Sequence, residues 1–100
     1  MFTTLRIYSG MPGAATKIAA KKESIEKAFR AVPGFAGYRL IGTTDGLATV
    51  TICETKEGCE ESARVAAQWL RENMPDLSPT SPQVITGESH LSFGANKPPR

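Results

Sequence analysis

The stretch AVPGFAGYRLI, residues 31–41, joins a helical pattern to a strand pattern and organises the fold around it. Pro33 lacks an amide proton and disfavours helical backbone at Val32, so a helix should end here. Gly34 can adopt the positive φ that a reversal of the chain often requires. The aromatic and branched side chains that follow predict a strand from Phe35 to Thr43.

The chain before this stretch changes from a period of two residues to a helical period. Residues 2–9, FTTLRIYS, alternate as in a half-buried strand, and a segment with glycine and proline, 10–13, ends the alternation. From residue 14 to residue 32, apolar side chains recur on one stripe among lysines and glutamates, which predicts an amphipathic helix. The stripe consists of Ile18, Ile25, Ala28, Phe29 and Val32.

The chain after this stretch contains a hairpin, a second helix and a last strand. Asp45 and Gly46 favour a tight turn, so the strands on either side of them should pair in antiparallel fashion. Thr55 is a suitable N-cap for the helix, whose alanines permit close packing on a sheet. The predicted segments are a strand at 47–54, a helix at 56–74, a loop at 75–82 and a strand at 83–93.

The resulting order of elements, β-α-β-β-α-β, is that of the ferredoxin-like α+β sandwich. Right-handed crossovers place both helices on one face of the four-stranded sheet. A chain of 100 residues is long enough for one such domain. We therefore expect a single domain over residues 1–93 and a flexible C-terminal tail over residues 94–100.

Two helices cover one face of the sheet, and the opposite face is predicted to carry both apolar and charged side chains. Strand alternation assigns to the helix side Leu5, Ile7, Tyr38, Leu40, Val50 and Ile52. It assigns to the open side Phe2, Thr4, Arg6, Tyr8, Phe35, Arg39, Ile41, Leu47, Thr49, Thr51 and Cys53. Exposed apolar groups and unpaired buried cations are both unfavourable. We therefore expect a homodimer through this open face, with a pocket lined by the polar side chains.

The composition argues against several classes of function. The net charge is +2, and the lysines alternate with glutamates as on a solvated helix face, so we expect no nucleic-acid partner. No apolar run approaches the length of a bilayer span, so we expect no membrane partner. Cys53 and Cys59 have neither a metal-binding nor a redox spacing. With no leader segment evident, we expect a cytoplasmic protein with reduced thiols and with no metal or cofactor.

Four segments resemble the antibiotic biosynthesis monooxygenase-like domains of the dimeric α/β-barrel superfamily. They are TLRIYSG at 4–10, VPGFAGYRL at 32–40, TVTICETKEG at 49–58 and AAQWLRENM at 66–74. The resemblance covers nearly the whole chain and implies a homodimer with a substrate-sized cavity between sheet and helices. It also implies a relation to cofactor-independent monooxygenases of phenolic polyketides and to haem-degrading enzymes.

The resemblance and the charged side chains together select five candidate ligand-binding residues, which are Arg6, Tyr8, Arg39, Trp69 and His90. Trp69 matches a tryptophan that such enzymes use near the cavity, whereas their asparagine has no counterpart in the preceding turn. The alternatives are a packing role for Trp69 and a surface role for His90. The two arginines require an anionic partner, which is either a ligand or an internal carboxylate such as Glu54 or Glu88.

Two hypotheses of function remain open at this stage. In the first, the dimer binds a small aromatic or anionic metabolite and oxygenates a phenolic substrate, with its cations stabilising the phenolate. In the second, the dimer binds a metabolite without turnover, or is purely structural with its cavity filled by apolar side chains. The sequence identifies no catalytic residue.

Overall fold

Within the described residues, 1–77 and 81–94, a four-stranded sheet carries helices on one of its faces; the structure is a computed structural model. In chain order the elements are β1 (Phe2–Tyr8), α1 (Ala14–Ala19), α2 (Lys22–Arg30), β2 (Phe35–Gly42), β3 (Leu47–Cys53), α3 (Lys56–Asn73) and β4 (Gln83–Glu88).

The strands lie in the order β2-β3-β1-β4, and each neighbouring pair is antiparallel. The helices α1 and α2 lead from β1 to β2, and α3 leads from β3 to β4. This is the topology of the ferredoxin-like fold. The fold class predicted from the order of the elements is therefore confirmed.

Local sequence explains most of the element boundaries. Gly34 has a φ of 76° and reverses the chain just before β2. Gly46 closes the turn between β2 and β3, where a Cβ would collide with the backbone carbonyl of Tyr8. Thr55 caps α3, because its Oγ1 accepts a hydrogen bond from the amide of Gly58 at 3.0 Å.

The helix predicted over 14–32 is divided in the structure into α1 and α2. The break lies at Ala20 and Lys21, and neither proline nor glycine marks it. The apolar stripe continues across the break, since Ile18 and Ile25 both pack in the same cluster. A periodicity of side chains therefore could not reveal the division.

The last strand is shorter than predicted and ends at Glu88 instead of residue 93. Glu88 lies opposite Phe2, which is the first residue of β1, the neighbour of β4. Beyond this pair the amide of Ser89 donates a hydrogen bond to the carbonyl of Met1 at 2.8 Å, and Oγ of Ser89 lies 2.6 Å from Oγ1 of Thr3. Residues 95–100 of the predicted tail and 78–80 of the predicted loop lie outside the described residues.

The predicted sidedness of β1 and β3 is wrong. Every second residue from Thr4 in β1 and from Leu47 in β3 is buried beneath the helices, so Arg6 and Tyr8 lie on the helix side. The residues of these strands on the open side include Leu5, Ile7, Val50 and Ile52. Alternation indicates which side chains share a face, but here the helices cover the more polar face.

In β2 the predicted sidedness holds except at Phe35. Tyr38 stacks on Phe29 of α2 with 4.4 Å between ring centroids, whereas Arg39 lies on the open side. A bulge between Phe35 and Gly37 shifts the register, so Phe35 also packs on the helix side. Arg6 lies opposite Thr49 of β3, and Arg39 lies opposite the next residue, Val50. Arg6 and Arg39 therefore lie on opposite faces of the sheet.

The core between sheet and helices consists of two clusters. The larger one contains Tyr8, Met11, Ala14, Ile18, Leu47 and Trp69. The smaller one contains Val32, Cys53 and Cys59, with Phe2, Phe35 and Val65 packed against it. Between these apolar clusters the helix side of the sheet carries polar residues, which are Thr4, Arg6, Thr49 and Thr51.

Candidate functional site

A cavity of about 680 Å³, the outer cavity, lies between α3 and the strands β1 and β4. Its lining consists of Arg6, Tyr8, Ala63, Ala67, Leu70, Arg71, Met74, Pro75, Leu77, Ser81, Pro82 and Val84. Small and apolar residues of α3 form one wall, and Arg6, Tyr8 and Val84 of the sheet form the other. The cavity is of the size that small-molecule sites commonly have.

Arg6 is the most unusual side chain of the outer cavity. It is only 2% exposed, and its Nη2 donates one long hydrogen bond, of 3.4 Å, to Oγ1 of Thr51. Its Nε and Nη1 have no hydrogen-bond partner among the described residues. A guanidinium keeps its charge under all physiological conditions, so the described residues leave these two nitrogens in need of an acceptor.

The charged side chains that line the outer cavity are cationic. Arg6 and Arg71 are the charged members of its described lining, which includes neither a carboxylate nor a histidine. In the described part of the chain no carboxylate lies within ion-pair distance of Arg6. Such a lining favours an anionic ligand over a neutral or cationic one.

A smaller space, the inner chamber, adjoins the outer cavity and measures about 20 Å³. It shares Arg6, Tyr8 and Leu70 with the outer cavity and is also lined by Thr49 and Trp69. Thr49 is 4% exposed, and its Oγ1 has no hydrogen-bond partner in the described structure. Arg6 and Thr49, which carry the unsatisfied buried polar atoms of the described residues, therefore both line the chamber.

The neighbouring titratable groups do not supply a counter-charge to Arg6. Burial raises the pKa of Tyr38 to about 12, even though the charge of Arg6 opposes this shift. Burial, together with the nearby Cys59, raises the pKa of Cys53 to about 11. Both groups are consequently neutral at physiological pH, as a phenol and a thiol.

The structure brings together some of the predicted site residues and separates others. Arg6 and Tyr8 line the outer cavity, and Trp69 lines the inner chamber beside them. Arg39 lies on the open face of the sheet. His90 follows β4, and 86% of its side chain is exposed. Its Nε2 lies 3.9 Å from Oε1 of Glu88, and the residue lines neither the outer cavity nor the inner chamber.

Trp69 is held by packing and by one hydrogen bond. Its Nε1 donates to Oγ of Ser24 at 2.9 Å, which joins α3 to α2. The ring is 5% exposed and belongs to the larger core cluster. These contacts agree with the packing role that the sequence analysis gave as the alternative for Trp69.

Sequence reasoning missed two residues of the site. Arg71 has the position of a helix C-terminal cation, and that role alone does not indicate that it also borders a cavity. Thr49 is one of several threonines in an alternating strand, and its missing hydrogen bond exists only in the folded chain. For Arg71, the signal that could have found it is its position two residues after Trp69, on the turn that resembles a family motif.

A further cavity of about 430 Å³ lies between α2 and β2. Two of its charged residues, Glu26 and Arg30, already pair with each other at 2.7 Å. It contains none of the unsatisfied buried polar atoms of the described residues. The outer cavity is therefore the better candidate site.

Two other kinds of feature are absent from the described ranges, 1–77 and 81–94. No group of three or more His, Cys, Asp or Glu side chains is placed to hold a metal ion. None of the helices there has the length and hydropathy needed to cross a membrane.

Comparison with solved structures identifies proteins of the same fold. MhuD, a haem-degrader from Mycobacterium tuberculosis with two haems bound in its active site, is 18% identical, with a TM-score of 0.68. The alignment covers 94% of this chain and 100% of MhuD. A dimeric ferredoxin-like protein from an uncultured marine organism is 12% identical, with a TM-score of 0.68 and coverages of 94% and 98%.

A monooxygenase is among the proteins that share the fold. The product of the gene ActVA-Orf6 of Streptomyces coelicolor, in complex with the ligand nanaomycin D, is 17% identical, with a TM-score of 0.65. The alignment covers 95% of this chain and 91% of that protein. No protein-family model matches the sequence, and no curated protein matches it. These likenesses confirm the fold that the sequence resemblance implies.

Proposed function

We propose that the chain is an antibiotic biosynthesis monooxygenase-like protein that binds a small aromatic anion in the outer cavity. The observation that carries this proposal is Arg6, a buried guanidinium with two unpartnered nitrogens at the wall of a cavity of about 680 Å³. An anionic oxygen of a ligand supplies the missing acceptor. The apolar wall of α3, with Ala63, Ala67 and Leu70, accommodates a ring system.

The reaction that this site supports best is oxygenation of a phenolic substrate without a cofactor. Arg6 and Arg71 favour the phenolate over the phenol, and the electron-rich phenolate reduces molecular oxygen. In a hydroxyanthrone, for example, the ring CH₂ becomes a carbonyl, and its two hydrogens leave with the second oxygen atom as water. Two proteins of the same fold, MhuD and the ActVA-Orf6 product, hold haems and nanaomycin D.

A second candidate function is binding without turnover. The observation that favours it is the lining of the outer cavity, whose described residues include no carboxylate or histidine to accept the proton of a phenol. In this case the cavity sequesters or transports an anionic metabolite, and the same two arginines hold it.

The proposal includes a homodimer formed through the open face of the sheet. Four large apolar side chains of this face are exposed in the single chain, which are Leu5, Ile7, Ile41 and Ile85. They lie on β1, β2 and β4. The remaining strand, β3, contributes the half-buried Val50 and Ile52 to the same face. A continuous apolar face of this kind is typical of an interaction surface, and its own copy is a complementary partner.

The experiment is a ligand screen with matched arginine variants. Binding of naphthols, hydroxyanthrones and naphthoates is measured by calorimetry for the wild type, Arg6→Met and Arg39→Met. We expect Arg6→Met to weaken binding by about 10- to 100-fold, the value of a charge-assisted hydrogen bond. Arg39→Met is the control, because Arg39 lies on the other face of the sheet. Equal losses in the two variants would contradict the assignment of the outer cavity.

Oxygen consumption distinguishes the two candidate functions. With a bound hydroxyanthrone, the monooxygenase hypothesis predicts uptake of one O₂ per carbonyl formed, and loss of this uptake in Arg6→Met. Binding without oxygen uptake across the whole panel supports the second candidate. No binding of any anion in the panel would refute both.

A further inference from the structure

The inner chamber is built by two residues that lie directly opposite each other on neighbouring strands. Arg6 of β1 pairs with Thr49 of β3 in the antiparallel register, so their side chains leave the sheet on the same face and close together. The unsatisfied atoms are Nε and Nη1 of Arg6 and Oγ1 of Thr49. Both side chains that carry these three buried polar atoms line the chamber, and each of the atoms can donate a hydrogen bond.

The size of the chamber limits what it can hold. A volume of about 20 Å³ is sufficient for one water molecule or one small ion, and insufficient for a ring. The rest of its lining is mostly apolar, with Ile18, Leu47 and Ala66 among it, and also includes Tyr8 and Tyr38. The apolar part lowers the local dielectric and strengthens the field of Arg6.

The charge of the chamber selects an anion over water. Arg6 is cationic and buried, and the described residues place no carboxylate within ion-pair distance of it. Tyr38 and Cys53, which lie near enough to respond to its charge, are both neutral. A water molecule can accept hydrogen bonds from these groups, but it cannot compensate the charge.

We propose that the inner chamber binds one small monovalent anion, held by Arg6 and Thr49. This anion is either a free halide ion or the carboxylate end of a ligand whose body occupies the outer cavity. The proposal shares Arg6 with the proposed function, but it requires neither turnover nor an aromatic ligand.

The single tryptophan of the chain reports directly on the chamber. Trp69 lines it and is 5% exposed, so halide in bulk solvent quenches its fluorescence only weakly. We expect sodium bromide, titrated against sodium gluconate at constant ionic strength, to quench Trp69 in a saturable manner. The melting temperature should rise in parallel, by on the order of 5 °C at ten times the half-saturating concentration.

Three variants locate the bound ion. Arg6→Met should abolish the saturable quenching, and Thr49→Val should weaken it about 2- to 10-fold, as expected for loss of one hydrogen bond. Arg71→Met is the matched control, because Arg71 lines the outer cavity and not the chamber. If wild type and all three variants show the same linear, unsaturable quenching, the chamber holds water and the proposal is refuted.

Competition then identifies the source of the anion. If sodium benzoate displaces bromide, the carboxylate of a ligand reaches the chamber from the outer cavity. If bromide and benzoate bind together, the chamber is a separate halide site beside the ligand. Either result supports an anion site, and neither depends on oxygen consumption, so failure of the proposed monooxygenase activity leaves this test intact.

Discussion

A buried arginine without a carboxylate partner is unfavourable for stability, and Arg6 is such a residue on an interior strand of the sheet. Replacing a buried charge by an apolar side chain of similar volume is often neutral or stabilising. Retention of a guanidinium here is therefore better explained by a ligand than by the requirements of folding. The same argument applies, on a smaller scale, to the unpartnered hydroxyl of Thr49.

Tyr38 makes folding stability depend on pH in the alkaline range. Burial raises its pKa from 10.0 to about 12, so between these values the folded chain retains the phenol proton and the unfolded chain releases it. The unfolded state then binds fewer protons, and the free energy of unfolding falls as the pH rises. A pKa shift of this size lowers the free energy of unfolding by about 2–3 kcal/mol once the pH exceeds both pKa values.

The corresponding prediction compares the wild type with Tyr38→Phe. Urea unfolding at pH 8, 10 and 11.5 should show the wild type losing stability more steeply than the variant above pH 10. Cys53 also loses stabilisation in this range, but it does so equally in both proteins, so the difference between them isolates Tyr38. Parallel curves for the two proteins would mean that Tyr38 is not desolvated in the folded chain.

At the scale of elements, α3 has two functional stripes. One stripe packs on the sheet through Cys59, Ser62, Ala66 and Trp69, and the other forms the wall of the outer cavity through Ala63, Ala67, Leu70 and Arg71. The tilt of α3 over β1 and β4 therefore determines the width of the cavity. The hydrogen bond from Trp69 to Ser24 is a side-chain contact that connects α3 to α2.

Loss of the hydrogen bond between Trp69 and Ser24 should weaken the packing of α3 against α2. Ser24→Ala leaves the indole N–H of Trp69 without its acceptor, and we expect a loss of about 1–3 kcal/mol in the free energy of unfolding. Urea titration measures the loss. In a Trp69→Phe background the same Ser24→Ala change should have almost no effect, because no donor remains. An equal loss in both backgrounds would show that the hydrogen bond does not contribute.

At the scale of the whole molecule, the described part of the single chain leaves large apolar side chains exposed on the open face of the sheet. Leu5 and Ile85 are neighbours across β1 and β4, and Arg39 lies in the same row at the β2 edge. In the proposed homodimer, a second copy packed on this face would cover the apolar residues. The outer cavity lies on the opposite face, so each protomer of that homodimer would keep its own candidate site.

Two adjacent residues of β4 test this arrangement. Ile85 and Val84 are each 50% exposed, but Ile85 lies on the open face and Val84 lines the outer cavity. We expect Ile85→Glu to weaken dimerisation by roughly 100-fold, because a twofold interface buries the new charge twice. Val84→Glu should leave the dimer intact. Sedimentation velocity over a range of concentrations measures both, and dissociation by Val84→Glu alone would contradict the proposed interface.

Much of the fold was predictable from local patterns. Pro33 and Gly34 mark a helix end, Asp45 and Gly46 mark a hairpin, and Thr55 marks a helix start, so element types and most boundaries follow from residues close in sequence. The break between α1 and α2 and the early end of β4 were not predictable. The first has no breaker residue, and the second depends on where β1 begins.

The sequence by itself determined the order of the elements and therefore the ferredoxin-like fold, because periodicity and turn chemistry act over a few residues. Only the tertiary structure decided which face of each strand lies beneath the helices. That choice depends on the pairing of β1 and β2 with β3, which connects residues far apart in the chain, whereas the bulge in β2 changes the face of Phe35. This sidedness places Arg6 beside the cavity and Arg39 on the opposite face of the sheet. The face that the helices cover is determined by the assembled layers and not by one strand.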